Sequence, residues 1–191
     1  MSLRLALLFF LCVTITSTFA QTPKEVDEKT LAKIKAEMKV EADNLRKSLL
    51  ADGISKVEAD FISDTFRIHR LAAKHVEIDY STVGMLEAIN TVTEEYDVLL
   101  NRYYNLLLSK LSAEDKKHII TAQKAWLKYR DAEAELIRML RKEEYSGGGT
   151  MQLLISADKP VSKRNKAGQS LEQQVQAVEA YADESAVNDD A

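Results

Sequence analysis

One cysteine, two prolines and six glycines in 191 residues is a short supply of each, and each shortage excludes something. The cysteine is Cys12, within the first twenty residues, so a chain that has lost that stretch has no disulfide, no thiol nucleophile and no thiolate metal site. The scarcity of glycine and proline removes the turn punctuation that a many-stranded fold needs, and points to an all-α protein. Long hydrophobic runs are missing as well. The most apolar stretch, Leu5 to Val13, is well short of the ~20 residues that span a bilayer. Nor is there an excess of positive charge: 26 basic residues face 30 acidic ones, for a formal charge of −4. That balance argues against a nucleic-acid partner, whose phosphates require a basic face, and suits a basic protein partner.

What is present begins with a leader. Residues 1–20 place Arg4 ahead of the apolar run and close on Thr18-Phe19-Ala20, the pattern of a cleaved secretory signal with its cut between Ala20 and Gln21. Phe9-Phe10-Leu11 precede Cys12 where a lipid-modified cysteine would need a small residue. The expected destination is therefore the periplasm or the exterior, with no stable membrane insertion after cleavage. Losing Arg4 and no acid makes the mature chain one unit more negative.

Beyond the leader, Thr22 to Glu25, Ser55 to Glu58, Ser112 to Asp115 and Ser170 to Gln173 have the Ser/Thr-x-x-acid/Gln form of a capping box, which satisfies orphan amides at a helix start. Together with apolar periodicity they predict helices over 23–51, 55–78, 82–110, 113–144 and 170–184. At 100° per residue the first aligns Leu31, Ile34, Met38, Ala42, Leu45 and Leu49. The second aligns Ile54, Val57, Phe61, Thr65, Ile68 and Ala72. The third has the fullest stripe, from Met85 through Tyr96 and Tyr103 to Leu111. The expected architecture is an antiparallel helical bundle of four to five helices, with a long Gly-rich loop before the last helix. A helical pair over 21–79 packs with the region 80–182 as one domain, and an acidic tail over 183–191 lacks regular structure.

The fourth predicted helix poses the sharpest question. Its apolar stripe runs through Ile119, Trp126, Leu127, Ala134 and Ile137, yet Gln123 and Arg130 stand in the middle of it, one turn either side of the only tryptophan. Burying an amide or a guanidinium without partners costs several kcal/mol, about 2–7 for the amide alone. Two readings follow. Either Gln123 and Arg130 join a buried network with Asp131, Asn101, Tyr104 or Asp64, or with Trp126 they line a polar pocket or contact surface.

At these residues the chain resembles the lysozyme-inhibitor LprI-like family, exported helical bacterial proteins. The shared pattern is Leu100-Asn101 with Tyr104, Ala122-Gln123 with Ala125-Trp126, Arg130-Asp131, and Gly148-Gly149-Thr150, with Arg164 matching a late arginine before the last helix. The likeness is strongest over residues 80–150. Many members carry cysteines around this motif, one of them shortly after Arg-Asp, where this chain has Ala134. The resemblance thus implies a variant packed without that disulfide.

A search for chemistry yields no catalytic constellation, no cofactor and no metal site. His69, His75 and His118 lack the i, i+4 spacing of a helical zinc motif, and the glycine run lacks the lysine of a phosphate loop. The resemblance implies a non-enzymatic binder, an inhibitor of lysozyme or a related cell-wall hydrolase; the alternative is a non-catalytic envelope structural or assembly module. Gly147, Gly148, Gly149 and Thr150 form either a contact loop, where glycines let a partner's backbone approach, or a plain helix exit.

Overall fold

The computed structural model describes residues 22–189, so the expected leader and its cleavage site lie outside the described residues. Among the described residues all regular structure is helical: α1 (Glu28–Ala51), α2 (Lys56–Ile78), α3 (Thr82–Lys110), α4 (Asp115–Leu140), the single turn α5 (Glu143–Ser146) and α6 (Thr150–Asp189). None of these helices is long and apolar enough to cross a membrane.

Local chemistry sets most boundaries. Ser55 caps α2 by accepting from the Glu58 amide, and Ser112 accepts from the Asp115 amide just ahead of α4. Ser81 does the same for α3 through the Gly84 amide. Two predicted caps are not formed. Thr22 does not open α1; Asp27 does, accepting from the Thr30 amide at 2.7 Å, because its carboxylate is placed to take an amide that Thr22 is too far upstream to reach. Ser170 lies inside α6 and accepts from Gln174 four residues on.

The long connection expected after Tyr145 is also corrected. Only Gly147–Gly149 separate α5 from α6, and α6 is one 40-residue helix that passes through Pro160 and continues to Asp189, into the segment expected to lack regular structure. Its inner positions are Leu154, Ala157, Val161, Arg164, Gly168, Leu171, Val175 and Val178. They alternate at three and four residues, the spacing of a helix–helix seam. Arg164 and Gly168 interrupt the apolarity of that seam, which is what hid it.

This seam packs on α3, the most extensive helix contact, while α2 packs on both α1 and α3. The main core joins Val57, Phe61 and Ile68 of α2, Val92, Tyr96, Leu99, Tyr103 and Leu107 of α3, and Val161 and Val175 of α6. Phe61 meets Tyr103 edge-on at 5.3 Å between ring centres, a favoured aromatic geometry. Gly168 lies beside them; a Cβ there would stand 3.3 Å from the Phe61 ring, so the ring would have to give by a few tenths of an ångström. A smaller core holds α1 to α2 through Ile34, Met38 and Leu71.

A charge cluster also ties the first three helices together. Glu95 of α3 accepts from Arg67 of α2 at 2.8 Å and Lys35 of α1 at 3.0 Å. Burial pushes the Glu95 carboxyl up, but the hydrogen bonds and charges of Arg67 and Lys35 outweigh it and hold the group below its ordinary range. A folded-state pKa below the unfolded one gives stability that is present above the ordinary carboxylate range and is lost as pH falls through the folded value. Glu95→Gln should therefore lower stability at pH 7 by about 1–2 kcal/mol, between an exposed and a buried pair. The difference in melting temperature from the wild type should close on acidification below about pH 4.

The α2–α3 turn supplies a steric test. A Cβ on Gly84 would lie 2.3 Å from the Asp79 side chain and 2.4 Å from its carbonyl oxygen. Gly84→Ala should destabilise by about 1–3 kcal/mol, the usual cost of forcing atoms into a filled space, measured by denaturant unfolding.

Candidate functional site: the cleft beneath the fourth helix

Among the long helices, α4 differs from α1, α2, α3 and α6 in having no buried residue. It follows α3 through a short connection, yet it leans chiefly on α6. Lys163 of α6 makes that contact: its ammonium pairs with Glu133, reaches the Tyr129 hydroxyl at 3.0 Å and lies 5.0 Å from the Tyr129 ring centre. Only Ile119 of α4 packs at the edge of the main core; beyond it α4 stands away, and space opens between it and the α3–α6 pair.

That space is two clefts of about 450 Å³ each, one on either side of Trp126. One is walled by Asn90, Thr93 and Asp97 of α3, Arg130, Asp131, Glu133 and Ile137 of α4, and Pro160 and Arg164 of α6. The other takes in Leu100 of α3, Ile119 and Gln123 of α4, and Lys166, Ser170, Leu171 and Gln174 of α6. Trp126, Tyr129 and Lys163 line both, so the clefts are neighbouring stretches of one groove along the inner side of α4.

The polar residues in the apolar stripe are thereby accounted for. Gln123, Trp126 and Arg130 are half-buried and face this groove. The expected buried network is not formed. Arg130 donates through Nε and Nη2 to its neighbour Asp131 at 2.9 and 2.8 Å, on the exposed side, and its guanidinium stands 5.6 Å from the Trp126 ring centre. Asn101 is exposed and Tyr104 half-buried on α3, and neither lines the groove or bonds to Gln123 or Arg130. Asp64 pairs with Arg102 instead. The physical reason is distance: with α4 held off the core, water solvates what a closer helix would have had to pair.

Arg164 is the charged motif residue that is buried. Its Nε donates to Asp97 Oδ1 at 2.6 Å, Nη2 to Oδ2 at 3.3 Å, and Nη1 to the Pro160 carbonyl at 3.3 Å. This two-pronged pairing is the geometry a guanidinium makes best. The sequence reading missed Asp97, Glu133, Tyr129 and Lys163. The available signal for Asp97 was its position beside the α3 stripe, four residues after Thr93 and three before Leu100, where an acid needs a partner from the facing helix.

At Gly147, Gly148 and Gly149 φ is +71°, +69° and +95°. Three successive left-handed residues require glycine on conformational grounds alone, and Thr150 opens α6 directly after them. Among the described residues, no group of three or more His, Cys, Asp or Glu side chains is placed to hold a metal ion.

These geometries separate two arginines that look alike in the sequence. Arg164→Ala should destabilise by about 1–3 kcal/mol, since it removes the partner of Asp97 and the seam's central polar contact. The partial exposure of Asp97 lets water recover some of the loss. Arg130→Ala should change stability by no more than about 0.5 kcal/mol, as at an open surface site. Urea titrations of both variants check the contrast.

No curated protein and no solved structure matches the chain. A family model does, over residues 74–164, just under half of the chain, from the last turns of α2 through α3, α4 and α5 to Arg164 in α6. That span contains the groove's motif residues Gln123, Trp126 and Arg130 and the Arg164–Asp97 pair. Residues 74–164 thus match the model of the family described as Lysozyme inhibitor LprI.

Proposed function

We propose that the protein is an exported, non-catalytic binding protein whose target is a lysozyme-type cell-wall hydrolase. The observation that carries this reading is the match of residues 74–164 to the Lysozyme inhibitor LprI family. Export rests on the leader at residues 1–20, with the mature chain starting at Gln21. In this reading the helical pair 21–79 and the region 80–182 act as one antiparallel bundle; the contacts of α2 with both α1 and α3, and of α3 with α6, support it.

The proposed contact surface is the end of α4 together with the glycine connection. Leu136, Leu140 and Tyr145 are exposed by 49%, 44% and 59%, more apolar surface than one solvated helix end requires. Gly147 to Thr150 follow at once, with open space around Gly147 and Gly149 in which another backbone can approach. Partly exposed apolar side chains around an aromatic are the usual makings of a binding surface. The excess of acidic residues favours encounter with a basic hydrolase.

The test is a lysis assay in which the chain from Gln21 onward is mixed with lysozymes of several structural types and a cell-wall substrate. Inhibition should rise with protein concentration and weaken with added salt, as charge steering is screened. Leu140→Ser with Tyr145→Ala should weaken it at least tenfold without altering the far-ultraviolet spectrum. Absence of both inhibition and binding at low salt would favour a non-catalytic envelope assembly module instead.

A further inference from the structure

The groove beneath α4 is not used by the contact surface just described, and its lining has a chemistry of its own. It runs from Ile119 to Arg141, about 33 Å at 1.5 Å per helical residue. A small metabolite would fill a fraction of that length, so the fitting ligand is a linear chain.

The walls decide which chain. A strand-forming peptide needs free backbone donors and acceptors, and helical walls offer none, because their amides are bonded along the helix. An amphipathic helix needs a continuous apolar floor, whereas Asp97, Arg130, Glu133, Lys163 and Arg164 interrupt this one. Those charges are matched within the protein: Arg164 with Asp97, Lys163 with Glu133, Arg130 with Asp131. Around Trp126 these pairs cancel, while Arg141 in one cleft and Lys166 in the other add positive charge, and each paired member keeps unused hydrogen-bonding capacity. A carboxylate has about four acceptor sites and a guanidinium five N–H donors. Gln123 and Gln174 add planar amides with a donor and an acceptor each. Between these polar rims stands the indole of Trp126, with the Tyr129 ring beside it.

An aromatic face flanked by fixed donors and acceptors suits a ring that is apolar on its faces and hydroxylated around its edge, as a pyranose is. The groove follows one straight helix, which suits an extended β-1,4-linked chain and not a curling α-1,4-linked one. We infer that the groove between α4 and the α3–α6 pair is a glycan-binding site for an extended β-linked oligosaccharide, with Trp126 as its stacking platform.

Trp126 is the chain's single tryptophan and lies where the two clefts meet, so its fluorescence reports directly on the groove. The probes are the β-1,4-linked hexasaccharides of glucose and of N-acetylglucosamine, the α-1,4-linked hexasaccharide of glucose, and a proline decapeptide, each titrated into the chain from Gln21 with no hydrolase present. At least one β-linked probe should give a saturable fluorescence change and bind at least tenfold more tightly than the α-linked one. By calorimetry, Trp126→Ala should weaken that binding at least tenfold while Trp126→Phe retains most of it. Both variants should keep the wild-type melting temperature within a few degrees, because α4 contributes no buried residue. Silence toward every saccharide by fluorescence and calorimetry would overturn the inference, as would binding undiminished in Trp126→Ala. Saturable binding of the proline peptide alone would overturn it in favour of a peptide groove. None of these results depends on lysozyme inhibition, so the two proposals stand or fall separately.

Discussion

Helix α6 must stay helical through Pro160, and the rest of the structure depends on its doing so. A proline inside a helix removes one backbone hydrogen bond and crowds the preceding turn, at a cost of about 3 kcal/mol. Tertiary contacts beyond Pro160 offset it. Val161 is buried in the main core, Arg164 grips Asp97 while donating to the Pro160 carbonyl, Gly168 admits the Phe61 ring, and Val175 is fully enclosed. If α6 broke at Pro160, the half carrying Leu154 and Ala157 would lose its register with α3, and the wall of one cleft would go with it.

The same seam explains why α4 stands off. The main core is filled by α2, α3 and α6, and α3 has already given its buried stripe to them. What reaches α4 is the edge of α3 and one side of α6, too little surface to enclose a fourth helix. Ile119, Trp126 and Ile137 therefore remain half-buried, and Lys163 holds the helix with a charge and an aromatic contact where a core would have used hydrocarbon. An open groove lined by motif residues is the consequence of a core completed without α4.

Where apolar periodicity and caps agreed, the sequence was legible. Ser55 opens α2 as its pattern implied, and the stripe of α3 is the buried one, with Val92, Tyr96, Leu100, Tyr103 and Leu107 all enclosed. Reading failed where one residue carried two meanings. Pro160 and the polar run after it have the local signature of a loop, and only contacts distant in sequence, to Asp97 and Phe61, keep them helical. The paired interruptions of α4 were recognisable as unusual; whether Gln123 and Arg130 were buried or open depended on how far α4 sits from α3. No local pattern encodes that distance. Asp97 was overlooked because its partner is 67 residues away.

The two proposed surfaces lie on one helix, and that constrains how they can act together. A hydrolase seated on Leu136, Leu140 and Tyr145 and a glycan seated on Trp126 can influence each other directly where the groove reaches Arg141, or through a shift of α4. The α5 turn with its following glycines on one side and a short connection on the other leave α4 tied at its termini and lightly held between them. A ligand that drew α4 toward α6 would move Leu136 and Leu140 with it. Binding energies are reciprocally linked, so a hydrolase that favoured one position of α4 would alter glycan affinity by the same factor that glycan altered its own. A helix buried in the core could not transmit such coupling without disturbing the fold; one with no buried residue can.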